Sequence, residues 1–322
     1  NRSCSAKLVA MSQFLKIRKN FNKNTFPFVL FFGFSIIYYF GSFSKVPFGD
    51  CMGFITDIEK GEFIISTSVY AHFLFSNSLI FIKKIFPFFD SIEIGRWFTI
   101  FFGVCSVSIL YKIIYTINKN NWISFFGSII FGLSFTFWRN AEIVEIYTFN
   151  VFFIALFILY SVKYFQEKKD KFLLLSSFIL GISLWNHIQN ILLIPGFLFL
   201  LYHSKNWNLI VKSISIFTIL FLSLFIIPFF KEESFLIVFK AVSNHNINFK
   251  NFPKDILKSI FYLIFNFWHF TIFGIFGIFY LLKKHLELAL FLLINAIPVY
   301  GFATLFSVSD NYVFFLPASF IF

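Results

Sequence analysis

The polar residues of this chain that could carry chemistry stand in a few small groups between long apolar runs. Asp50 follows the first of those runs. A partly buried carboxylate suits a general base, because burial raises its pKa while a nearby cation or hydroxyl acceptor keeps it reactive. Asp is equally favoured as a helix N-cap, so both roles stand open. The densest cluster is Trp138, Arg139, Asn140, Ala141, Glu142, Ile143, Val144, Glu145, Ile146, Tyr147. Its pattern predicts a short loop leading into a helix, with Glu142 and Glu145 three apart on one face of a turn. Arg139 offers the planar donor fork that clamps phosphates or carboxylates. The plainer alternative is a helix start with acids placed for the dipole, Arg139 pairing locally, and Trp138 and Tyr147 as interface anchors.

Asn186 and His187 interrupt another apolar stretch, where an ionisable group is a functional candidate, although a lone satisfied histidine is the plainer reading. His72 is a second such histidine, while His269 beside Trp268 reads as packing. No HxxxH or HExxH spacing accompanies them, and Cys4, Cys51 and Cys105 follow no paired spacing, so neither a metal site nor a disulfide framework is expected. No cofactor is implied, and no glycine-rich phosphate loop, GxSxG elbow or kinase signature is present.

The elements that must position these residues follow from composition. With 58% hydrophobic and only 13% charged residues over 322 positions, the chain holds far more apolar surface than one soluble core needs. A soluble enzyme, a disordered chain and a nucleic-acid partner are all excluded despite the net charge of +12. The expected fold is all-α, a polytopic transmembrane bundle, with apolar runs at 25–43, 96–116, 122–138, 146–162, 172–202, 213–230, 256–282 and 286–306. The run 172–202 would measure about 46 Å as one helix against a hydrocarbon core of about 30 Å. Asn186, His187, Gln189 and Asn190, with Pro195 beyond, favour a turn between two short spans. Residues 63–82 read as a helix lying at the interface in the first outer loop.

Lys16, Arg18, Lys19 and Lys23 should hold the N-terminus in the cytoplasm. Alternation then gathers most Lys and Arg inside and most acids outside, although this sorting does not decide between one long helix and two short ones at 172–202. It puts Asp50, the 139–145 cluster, Asn186 with His187, the 231–255 loop and Asp310 on one outer face. Residues 1–24 form a cytoplasmic basic tail, with those ahead of Met11 set aside as an extension. Residues 25–322 form one transmembrane domain, expected to continue because its last apolar run is too short to span.

Four words occur in an order that resembles bacterial multi-spanning membrane proteins related to protein O-mannosyltransferases, within the GT-C class of glycosyltransferases. They are Gly49, Asp50 with Phe54 and Ile55; Phe137, Trp138 with Ala141, Glu145, Tyr147 and Asn150; Leu180, Gly181, Ser183, Leu184, Asn186, His187 with Pro195 and Gly196; and Tyr312, Val313, Phe314, Phe315, Leu316, Pro317. The resemblance covers most of 46–317 and implies a GT-C-like bundle in the bacterial inner membrane. The implied reaction transfers a mannose-like sugar from a polyprenyl-phosphate donor to a protein Ser/Thr or glycan acceptor on the non-cytoplasmic face. It maps the acceptor's base onto Asp50 and a donor-phosphate cation onto Arg139, with Glu142, Glu145, Tyr147, Asn186, His187 and His72 as donor or acceptor contacts, and it leaves metal dependence open. The chain departs from the family where a second acid often follows the first-loop Asp, having Met52 and Gly53, and where a His-Pro-Pro-Gly-Tyr-Pro-like word is replaced by Ser66, Thr67, Ser68, Val69, Tyr70, Ala71 with His72 after it. Two other classes compete. A transporter or flippase of lipid-linked substrates would line a polar path through both faces in matched halves, whereas polar groups here gather on one side; a GT-C-like scaffold without chemistry would tolerate the departures.

Overall fold

The computed structural model describes residues 25–41, 50–68, 71–239, 252–306 and 311–321, and among these it is helical with no strand. The basic tail, Asp310 and the middle of the 231–255 loop lie outside the described residues. In chain order the helices are α1 (Thr25–Phe40), α2 (Cys51–Lys60), α3 (Phe73–Ile85), α4 (Ser91–Asn118), α5 (Asn121–Gly132), α6 (Phe135–Glu142), α7 (Tyr147–Glu167), α8 (Asp170–Ser183) and α9 (Ile194–Tyr202). They continue as α10 (Trp207–Ser223), α11 (Ile226–Phe230), α12 (Phe252–Phe267), α13 (Phe270–Lys284), α14 (Leu286–Leu305) and α15 (Leu316–Ile321).

α4, α7 and α14 are long and apolar enough to cross a membrane, and they carry the helical bundle. α7 is the central strut, its buried Val151, Ile154 and Phe157 shared by one large apolar cluster with α4, α8 and α14. Of the three spans α7 is the most deeply buried, as expected of a helix surrounded by others.

Two runs that read as single spans are broken. Residues 122–138 bend by 66° between α5 and α6, where a Cβ on Gly132 would run into the Phe34 ring and Ser134 turns extended. Residues 256–282 bend by 104° between α12 and α13 at Trp268, whose φ is 45°, and His269 is exposed at that bend instead of packed inside a span.

The run 172–202 is two short helices. α8 ends at Ser183, residues 184–187 turn, a 3₁₀ segment covers Ile188–Leu193, and Pro195 sits in the first turn of α9, where its missing N–H costs nothing. The direction after the turn is fixed at both ends. Asn190 Nδ2 donates to Asn150 Oδ1 at 2.7 Å beside the start of α7, and Phe199 and His203 meet the Phe165 ring at 6.3 and 5.4 Å near its end. α9 therefore runs alongside α7 in the same direction, and the chain has reversed after α8.

The first loop holds two helices where one was expected. α2 buries Cys51, Phe54, Ile55 and Ile58, a helical stripe. The helix anticipated over 63–82 begins only at Phe73; residues 61–68 are not helical and are held by Asn77, whose amide pairs with Ile64 N and O at 2.8 and 2.9 Å. α3 starts beside the 184–187 turn and ends five residues before α4 returns into the bundle, so it lies across one end and does not cross.

Candidate active site

The N-terminal ends of α4 and α7, the 184–187 turn, and α2 and α3 meet at one end of the bundle. The cause is local. α6 stops at Glu142 because Ile143 is extended (φ −114°, ψ 163°), and α7 starts only at Tyr147. Glu142 and Glu145 therefore do not share a helical turn as their spacing suggested. Glu142 closes one helix, and Glu145 stands in the buried link between two. That link presses on α4, where a Cβ at Gly95 would collide with Val144.

Arg96 organises this junction. Sequence reading placed it only at the edge of a span, yet its residue is 4% exposed, and Nε donates to the Glu142 carbonyl at 3.2 Å, Nη1 to Glu93 Oε1 at 3.0 Å and Nη2 to the Tyr39 carbonyl at 3.5 Å. Its guanidinium lies 5.6 Å from the Tyr39 ring centre. One cation thus joins α1, α4 and the end of α6. The clue was an Arg three residues after an acid at the start of an apolar run. Arg139 lies elsewhere on α6, half-buried with its guanidinium 5.9 Å from the Phe135 ring centre.

Asp50 occupies the N-cap position of α2, but its side chain makes no capping hydrogen bond and is exposed. The next residue ties it to the acidic link: the buried Cys51 thiol donates to Glu145 Oε1 at 3.6 Å. Phe54, one turn on, meets the His72 ring at 5.8 Å and Phe75 at 4.9 Å, and Phe75 reaches Phe98 on α4 at 5.6 Å.

His72 takes a left-handed conformation (φ 42°, ψ 55°) at the N-cap of α3, and its ring lies 5.5 Å from that of His187. Tyr147 and Phe314 complete the enclosure at 6.4 and 6.1 Å from His187. Burial pushes His72 down to about 4, opposed by a hydrogen bond to the Asn186 backbone, and pushes His187 down to about 3, aided by His72. Both are neutral near pH 7. The Gln189 N–H donates to His187 Nδ1 at 3.2 Å, which leaves the proton on Nε2 and no lone pair there for a metal. Among the described residues no three His, Cys, Asp or Glu side chains gather to hold an ion.

The site thus brings Asp50, Glu142, Glu145, Tyr147, His72, Asn186 and His187 to one end, and adds Arg96, Cys51, Asn150, Gln189 and Asn190. Residues 65–211 match the family model described as Protein O-mannosyl-transferase TMEM260 N-terminal domain. Over that stretch the chain is similar to this family. The matched region holds every residue just named except Asp50 and Cys51, which precede it. The fold is similar to that of ArnT from Cupriavidus metallidurans bound to undecaprenyl phosphate, with a TM-score of 0.63 at 12% identity. It is also similar to the apo state of ArnT, at 0.59 and 13%. Each match covers 91% of this chain and 58% of the ArnT chain, so the chain spans a little over half the length of the structures it matches. No curated protein matches the sequence.

Proposed function

We propose that this protein is a membrane glycosyltransferase that moves a mannose-like sugar from a polyprenyl-phosphate donor to a hydroxyl acceptor, a protein Ser/Thr or a glycan, on the non-cytoplasmic face. The observation that carries the reading is the convergence of the Asp50–Cys51 step, the Glu142–Glu145 link and Arg96 at one end of an apolar bundle. A donor anchored in lipid is approached from within the bilayer, which suits a catalyst made of spans with short loops at one end. The ArnT structure that holds undecaprenyl phosphate shares this fold and supports a polyprenyl donor.

In the reaction, the Asp50 carboxylate takes the proton of the acceptor hydroxyl as its oxygen attacks the anomeric carbon. The bond to the phosphate oxygen breaks, and polyprenyl phosphate leaves with the electron pair. Fixed positive charge stabilises that leaving group. Arg96 is better placed than Arg139 to supply it, because its 3.5 Å contact to the Tyr39 carbonyl is long enough to be exchanged for a phosphate oxygen. Glu142 and Glu145 offset the cation and shape the acceptor side. The basic tail and inward-sorted lysines orient the bundle in a bacterial inner membrane with its N-terminus inside.

The test is Asp50→Asn in the full chain, reconstituted with undecaprenyl-phosphate mannose and a Ser/Thr-containing peptide. Transfer should fall by roughly 10²–10⁴-fold, the contribution of a general base, while melting temperature and membrane insertion hold. Undiminished transfer would remove Asp50 from the mechanism.

A further inference from the structure

Behind His72 a small cleft opens between the first loop and the reversal of the chain. Thr67, His72, Trp185, Asn186, Leu224 and Val238 are among the residues that line it. No Asp, Glu, Lys or Arg is among its lining residues, and its interior volume is about 20 Å³, room for one hydroxyl-sized group.

Asn186 is 1% exposed, yet neither Nδ2 nor Oδ1 has a hydrogen-bond partner among the described residues. The Thr67 hydroxyl, 7% exposed, is in the same condition. Buried polar groups are nearly always paired, and an orphaned amide carries its full desolvation cost in the folded protein. Two such groups on one cleft point to a ligand that completes them. An amide offers a donor and an acceptor side by side, and a single sugar hydroxyl, able both to give and to accept a proton, can complete it. The wall is rigid and aromatic. Trp185 Nε1 is held by the Leu220 carbonyl at 3.3 Å and Ser223 Oγ at 3.1 Å, and Phe73 packs on its ring at 4.9 Å.

We propose that the Asn186 amide and the Thr67 hydroxyl form a hydroxyl-gripping subsite that makes the protein select uncharged sugars over amino sugars and sugar acids. The subsite deepens the glycosyltransferase reading and rests on it for its role in turnover. An ammonium or carboxylate placed here would be desolvated with no opposite charge among the lining residues, a large penalty that a neutral hydroxyl avoids. The sugar belongs either to the lipid-linked donor or to a glycan acceptor, and the two are separated by which KM moves.

The experiment compares wild type, Asn186→Leu and Thr67→Val, both near-isosteric, as full chains in nanodiscs. Binding of methyl α-mannoside, methyl glucosaminide and methyl glucuronide is followed by saturation-transfer NMR, and thermal melts are recorded without sugar. Wild type should bind the neutral glycoside at least tenfold more tightly than either charged one. Each variant should lose about tenfold in that binding while its melting temperature rises by about 2–4 °C, because an orphaned polar atom has been removed. Unchanged binding in the variants overturns the subsite, and so does a fall in melting temperature, which would mean the side chains serve the fold. A raised KM for undecaprenyl-phosphate mannose assigns the subsite to the donor, and a raised KM for a glycan acceptor assigns it to the acceptor. Glycoside binding that depends on Asn186 in a protein that transfers no sugar would refute the enzyme reading and leave the subsite standing. Normal transfer by Asn186→Leu would do the reverse.

Discussion

The imidazoles of His72 and His187 face each other with ring centres 5.5 Å apart, one from the first loop and one from the chain reversal. The rings around them belong to Phe54, Tyr147 and Phe314, and none supplies an anion at neutral pH.

That pairing makes stability fall in acid. The folded values of about 4 and about 3 lie below the ordinary 6.5, so the unfolded chain binds more protons between them. Stability is therefore complete above pH 6.5 and is lost as the pH drops toward the folded values. The slope approaches about 1.4 kcal/mol per pH unit for His187, and less for the half-buried His72. Thermal melts in detergent from pH 7.5 to 4.5 should show the decline, and His187→Gln should flatten it. A decline of the same steepness in His187→Gln would place the titrating group elsewhere.

Arg96→Leu should destabilise the protein by about 2–4 kcal/mol, because the Glu142 and Tyr39 carbonyls lose their donors inside the bundle. The ion pair with Glu93 adds little, since that carboxylate is 37% exposed. Arg96→Lys should recover only part of the loss, as one ammonium cannot reach three acceptors set for a planar fork. Denaturation midpoints of the three proteins decide it, and full recovery by Lys would contradict the fork.

Gly196 begins α9 so close to α14 that an added Cβ would strike the Asn295 amide. Gly196→Ala should cost about 1–3 kcal/mol through overpacking. Asn295→Ala in the same chain should return most of that, a coupling readable in a double-mutant cycle. Additive effects would mean that α9 and α14 move apart freely.

Cys51→Val should cost about 1 kcal/mol by removing the donor to Glu145, and Cys51→Ser should cost less because the hydroxyl replaces it. Equal melting temperatures for the two variants would show that only the volume of the thiol matters.

The spans were legible because hydrophobic runs longer than the bilayer core have few alternatives, and α4, α7 and α14 fall where those runs predict. The reversal at 184–187 was legible for the opposite reason, since four polar side chains cannot sit in hydrocarbon unpaired. The breaks at Ser134 and Trp268 were not, because they depend on the Phe34 ring near Gly132 and on one left-handed residue, neither visible in hydropathy. The spacing of Glu142 and Glu145 suggests one turn, but Ile143 and Val144 between them are a β-branched pair that favours the extended link seen between α6 and α7. The role of Arg96 is not legible in sequence, because an Arg at the edge of a span ordinarily snorkels to water and only the tertiary fold turns it inward. α2 had a readable signal, the spacing of Cys51, Phe54, Ile55 and Ile58, hidden within a stretch judged by its charges.

The shortness of α8 has a further consequence. Its 14 residues rise only about 21 Å, against a hydrocarbon layer of about 30 Å. A bilayer meeting the bundle on that flank would have to thin toward the level of Asn186 and His187, the ordinary response to a span shorter than the hydrocarbon layer. A lipid headgroup on that flank would reach the depth of the histidines by lateral diffusion alone, with no need to be pulled out of its monolayer.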